Sequence, residues 1–92
     1  MPKRPNEPAE VLARRTQSFL EELRRSELRQ MDLASLLGKN RSAVNRWCQR
    51  ERPDHAPPPR YALAFLLAWN ALPPKGRQTI MSRLNVEDGN DG

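Results

Sequence analysis

Apolar residues recur at helical spacing along most of this chain, with no β-hairpin signal and no internal repeat. Pro8 fits the first turn of a helix with Glu10 near its positive end, and Leu12, Thr16, Phe19 and Leu23 then share one stripe, widened by Leu20. The spacing predicts a helix to about Ser26. Arg14, Arg15, Glu21, Glu22, Arg24 and Arg25 fill its solvated side, where Glu21 and Arg25 are placed for a weak surface pair. Leu28 in the connection reads as a buried anchor. Between Gln30 and Arg50 helical spacing appears twice, with a break. Leu33, Ala34 and Leu37 line one face of a short helix, and Gly38 stands where a helix stops on positive φ. Asn40 can then cap a second helix, because its side-chain oxygen can accept from a free N–H of the first turn. Val44 and Trp47 face inward there, leaving Arg41, Ser42, Asn45, Arg46 and Gln49 on the outer side. Two short helices joined by a glycine-containing turn form a helix-turn-helix. Ala34 fits it, since a crossing helix approaches closely only over a small side chain.

A proline-rich loop, ERPDHAPPP, follows, and Pro59 opens the next helix, RYALAFLLAWNAL, to about Leu72. Its large apolar residues cannot share one stripe, so it needs burial on more than one side. The core of a small chain can cover only part of it, which makes the rest a partner surface. Periodicity does not choose among Phe65, Leu66 and Trp69 for that contact; Trp69 is favoured because large aromatics dominate interface energetics. Pro73 and Pro74 end this helix. A last one is expected over about Lys75 to Leu84, with a thin apolar face of Ile80, Met81 and Leu84. The expected organisation is all-α, a small domain of four to five helices over residues 8–85. A basic, disordered arm precedes it at 1–7 and an acidic, Gly-rich tail follows at 86–92. The arm reads first as a solvated tail; the alternative is that Lys3 and Arg4 let it follow DNA phosphates or enter a minor groove.

Composition sharpens the picture. Ninety-two residues make one domain with a modest core, small enough that pairing would aid its stability. The net charge of +5 favours a polyanionic partner. The excess is local: Lys39, Arg41, Arg46, Arg50, Arg52 and Arg60 face only Glu51 and Asp54, and the run coincides with the outer face of the second short helix. A stiff loop is expected to bring Arg50, Arg52 and Arg60 to that same surface. The single cysteine, Cys48, excludes an internal disulfide and reads as a packing residue. His55 has no ligand-spaced neighbours beyond Asp54, so no metal or cofactor is expected. No apolar run reaches a membrane span, and MPKRPNEP lacks the apolar centre of a signal peptide, which points to the cytoplasm. There is no glycine-rich phosphate loop, no nucleophile beside a base and no carboxylate pair on an apolar wall, so catalysis is not expected.

Gln30, Leu33, Ala34, Leu37, Gly38, Asn40, Val44 and Trp47 together resemble the pattern of Cro/C1-type (XRE-like) helix-turn-helix domains. The clear match covers about a quarter of the chain, and a looser one, of helix number and order, covers most of it. The resemblance implies a lambda-repressor-like fold and a second motif helix that reads the DNA major groove. It assigns Arg41, Ser42, Asn45 and Arg46 to base reading. It assigns Gln30 to a phosphate, joined by Lys39, Gln49, Arg50 and Arg52 around the same face. Arg29 departs from the pattern where Ser or Thr normally caps, and Lys39 departs where a small apolar residue packs under the turn; both add positive charge. More loosely, PPPRYALAFLLAWNALPP beside the motif resembles phage anti-CRISPR-associated repressors.

Two functions follow as expectations. The first is a sequence-specific transcriptional regulator, a dimeric repressor on an inverted-repeat site, possible controller of its own operon, with double-stranded DNA as partner and no small-molecule ligand. The second is a protein-interaction module, such as the antitoxin of a toxin–antitoxin pair, with the helix from Tyr61 to Leu72 holding another protein.

Overall fold

The computed structural model describes residues 7–87; the arm through Asn6 and the tail beyond Glu87 lie outside them. Five helices follow in order, α1 (Ala9–Ser26), α2 (Gln30–Leu37), α3 (Arg41–Cys48), α4 (Arg60–Ala71) and α5 (Pro74–Glu87), and there is no strand among the described residues. The all-α fold with five helices is therefore as the periodicity predicts. α5 runs further than Leu84, so Val86 and Glu87 belong to a helix rather than to the acidic tail.

The core forms where the stripes meet. Phe19 and Leu23 of α1, Leu33 and Ala34 of α2, Val44 and Trp47 of α3, and Ala62 and Leu66 of α4 make one buried cluster. Phe19 meets Trp47 edge to face at 6.0 Å, the arrangement favoured by ring quadrupoles. α4 packs along α1, and α2 crosses α3, so α1 and α4 form a platform under the short helix pair. Among the described residues no helix is long and apolar enough to cross a membrane.

Polar ties fix the long helices, and two of them use residues placed on the solvated side by sequence. Arg15 keeps only a tenth of its side chain exposed; its guanidinium donates to the Pro58 carbonyl at 3.2 Å and pairs with Glu7. Glu7 is thereby part of the fold rather than of the arm. Glu22 accepts from Asn70 Nδ2 through its backbone oxygen at 3.0 Å and its carboxylate at 2.8 Å, which bonds α1 to α4. Glu22 also takes the weak surface pair with Arg25, at 4.0 Å, in place of Glu21.

α4 resolves the question of its crowded apolar residues. Ala62, Leu66 and Trp69, at i, i+4 and i+7, are buried within the protomer. Leu66 is wholly enclosed, and Trp69 is 5% exposed. Phe65 lies beside Trp69 at 5.6 Å and is half-buried against the core. Arg77 of α5 lies over the Trp69 ring, 6.0 Å from its centroid, and donates to the Trp69 and Asn70 carbonyls that end α4. Leu66 and Trp69 are thus unavailable as partner contacts, because the fold has already used them. The large apolar residues that α4 leaves exposed are Tyr61 and Leu67. Among the described side chains, Ile80, Met81 and Leu84 of α5 do not pack on the core cluster.

Candidate nucleic-acid interface

The connection into the motif is built on unusual caps. Glu27 ends α1 at φ +63°, the left-handed region, while Ser26 Oγ accepts from the Leu28 N–H at 3.0 Å and sets Leu28 against the core. Arg29 has no capping oxygen to offer α2. Asp32 supplies the bond from the other direction: its carboxylate accepts from the Arg29 backbone N–H at 3.0 Å and from Arg29 Nε at 3.3 Å. That backbone bond, opposed by slight desolvation and aided by the Arg29 charge, holds the Asp32 carboxyl below its usual range. This is the returning half of a capping box: it satisfies the N–H of Arg29, while the first-turn N–H that a Ser or Thr would take has no side-chain acceptor.

The turn between α2 and α3 forms as its residues predict. Gly38 sits at φ +73°; its N–H donates to Ser35 O at 3.3 Å, and the Lys39 N–H donates to Ala34 O at 2.9 Å, the paired bonds of a Schellman ending. Lys39 therefore follows the turn exposed instead of packing beneath it. Asn40 Oδ1 accepts from the Ala43 N–H at 2.9 Å and caps α3. With Val44 and Trp47 buried below, α3 presents Arg41, Ser42 and Arg46 to solvent and half-covers Asn45.

Asn45 is held from both sides. Its Nδ2 donates to Gln30 Oε1 at 2.9 Å, and its Oδ1 accepts from an Arg52 guanidinium nitrogen at 3.0 Å. Arg52 in turn forks onto Asp54, with nitrogen–oxygen distances of 2.7 and 2.9 Å. Those bonds hold the Asp54 carboxyl below its usual range, with Arg46 adding a smaller attraction, and push the Arg52 guanidinium up. A chain of side chains, Gln30–Asn45–Arg52–Asp54, thus runs from the first turn of α2 across α3 to the proline-rich loop. Arg41, Ser42, Asn45, Arg46, Arg52 and Asp54 line one open depression on this face.

The loop is fastened at two further points. His55 Nδ1 lies 2.9 Å from the Arg46 carbonyl, at the end of α3. Pro58 is buried, with its carbonyl taken by Arg15. The three loop arginines accordingly part company: Arg52 joins the α3 face, Arg50 borders a hollow with Leu12, Thr16 and His55, and Arg60 borders another with Val11 and Tyr61. The stiff loop does not bring them to one surface, because its turns send them in different directions. Gln49 is half-buried at the end of α3, where its N–H donates to Asn45 O. Cys48 is half-buried beside the core, and desolvation pushes its thiol up to about 11, so it stays protonated and packs as a small apolar group.

Sequence reasoning thus named Gln30, Arg41, Ser42, Asn45, Arg46 and Arg52 individually, and the fold brings all six to one face. It missed Asp54 as a member. The signal was present in the spacing of Arg52 and Asp54 across Pro53, which suits a side-chain fork over a tight turn. No family model, no curated protein and no solved structure matches the chain.

Proposed function

We propose that this protein is a sequence-specific DNA-binding regulator of the Cro/C1-type helix-turn-helix kind, working as a dimeric repressor in the cytoplasm of a bacterial or phage-infected cell. The observation that carries the reading is the composition of the α3 face. Arg41, Ser42 and Arg46 stand exposed side by side on a short helix whose first turn is capped and whose back is buried, with half-buried Asn45 held between them. Nothing in the core requires that set. A duplex does: arginine donates paired bonds to guanine O6 and N7, asparagine matches adenine N6 and N7, and serine suits either a base or a phosphate. Gln30 gives its oxygen to Asn45 and keeps its amide N–H groups for a phosphate, as Lys39 keeps its ammonium at the turn. Repression then follows by occlusion: a dimer seated across a promoter excludes polymerase, with no chemistry required.

Selection of bound duplexes from a random library, with the gene's own upstream region alongside, tests the reading directly. Arg46→Ala should lose about 1–3 kcal/mol of binding and relax the preference at one base pair. Lys39→Ala should weaken binding to all sequences and flatten the salt dependence by about one phosphate contact. Unchanged affinity and preference in Arg46→Ala would remove α3 as the reading element.

A further inference from the structure

Arg52 is exposed, basic and next to the α3 face, which by charge alone makes it a phosphate contact. Its hydrogen bonds say otherwise. Every nitrogen of its guanidinium is directed at a group of this chain: Nε and one terminal nitrogen at the Asp54 carboxylate, the other terminal nitrogen at Asn45 Oδ1. The positive charge is matched by a negative one, and both belong to the same open depression. Three of its five N–H groups are used in this way, and a phosphate arriving at the two that remain would meet a charge already matched and the Asp54 carboxylate beside it.

The consequence falls on Asn45. A carboxamide has two N–H donors and two oxygen lone pairs. Gln30 takes one donor and Arg52 fills one lone pair, so one donor and one acceptor remain. That remainder is what the major-groove edge of adenine requires, a donor for N7 and an acceptor for the N6 amino group. An unrestrained asparagine can rotate its carboxamide by half a turn and present the same two groups in reverse. Here the reversal would set the Asn45 nitrogen against the Arg52 donor; Gln30 could turn its own carboxamide to follow, but a guanidinium has no acceptor to offer, so Arg52 is the contact that fixes the polarity.

We propose that Arg52 and Asp54 form a specificity clasp: Asp54 orients Arg52, and Arg52 locks the Asn45 carboxamide in the one polarity that reads adenine. The inference rests on the DNA-binding reading of the α3 face and reassigns Arg52 from phosphate contact to positioning residue. Asp54 has a second effect, since a carboxylate inside the basic face lowers attraction for phosphates in general. Specific binding is thereby favoured over non-specific binding.

The test uses the full chain, the best duplex selected by the wild-type protein, and the same duplex with the adenine read by Asn45 replaced. That base pair is located as the one where Asn45→Ala loses preference. Arg52→Ala and Asp54→Ala should each reduce discrimination at this pair by about tenfold, the order expected for a bidentate contact. Combining them should add little. Arg52→Lys, which cannot fork, should not restore the preference. Asp54→Ala should also steepen the salt dependence of non-specific binding. Melting temperatures should stay near wild type, because both side chains are exposed, and this separates positioning from loss of fold. In the free protein, the Asn45 side-chain amide protons should exchange faster with water in Arg52→Ala. An Arg52→Ala variant that weakens binding to every sequence alike, with a flatter salt slope and unchanged base preference, would overturn the clasp and make Arg52 a phosphate contact. A wild-type protein that enriches no duplex at all would overturn the DNA reading itself, and the clasp with it.

Discussion

At the residue scale, two positions among the described residues carry positive φ, and they differ in a way that yields opposite predictions. Gly38 uses a conformation that glycine adopts freely, and a Cβ built there meets no atom within 4 Å. The cost of Gly38→Ala is therefore backbone strain alone, about 1 kcal/mol, without a clash. Glu27 occupies the same region with a side chain, at φ +63°. Glu27→Gly should relieve a similar strain, offset in part by the greater freedom of glycine in the unfolded chain, for a net gain of about 0.5 kcal/mol. Thermal or urea melts of the two variants should move in opposite directions. Gly38 was legible in the sequence because glycine announces the conformation. Glu27 was not, because nothing in a glutamate marks a left-handed cap; the geometry is forced by Leu28 entering the core one residue later. Arg15 was hidden for a related reason. A long cation at a polar position of a helix reads as solvated, and only the returning loop shows that its head bonds the Pro58 carbonyl.

At the element scale, the helices that periodicity defines most sharply, α1 through α3, appear close to their expected ranges, and their stripes name every residue they bury except Ser26. α4 was harder. Seven large apolar residues within one short helical stretch leave several stripes open, and the choice of Ala62, Leu66 and Trp69 is made by what lies opposite on α1 and by Arg77 from α5. Long-range contacts of that kind leave no trace in spacing. The α2–α3 crossing, by contrast, can be tested at a single side chain. Ala34 is 4% exposed in the core cluster that also holds Val44, so Ala34→Leu adds methylenes to a closed site, and overpacking typically costs about 1–3 kcal/mol. Ser35→Ala, on the exposed side of the same helix, should leave the melting temperature almost unchanged. Equal melts for the pair would show that α2 is turned differently about its axis.

At the scale of the whole molecule, one reading helix spans only a few base pairs, too few for useful discrimination in a genome. Two copies about a two-fold axis double the contacts and set the reading helices roughly 34 Å apart, on a site that repeats the symmetry. The pairing surface must come from what the fold leaves uncovered. Tyr61 is 48% and Leu67 50% exposed on α4, and Val11 of α1 adjoins them along one shallow hollow with Arg60 at its rim. Trp69, favoured from sequence, is excluded by its burial, and this makes the two residues distinguishable in one experiment. Leu67→Asp places a charge on the surface of a protomer whose core is untouched, so it should give a monomer with an intact helical spectrum. Trp69→Asp places a charge in a closed site beneath Arg77, so it should lower the melting temperature sharply whatever the oligomeric state. Sedimentation at micromolar concentration with circular dichroism on the same samples separates the two effects. A wild-type protein that sediments as a monomer and still holds a single non-palindromic duplex at nanomolar affinity would end the symmetric model. Leu67→Asp that remains dimeric would move the interface to Ile80, Met81 and Leu84 of α5, which the core does not cover.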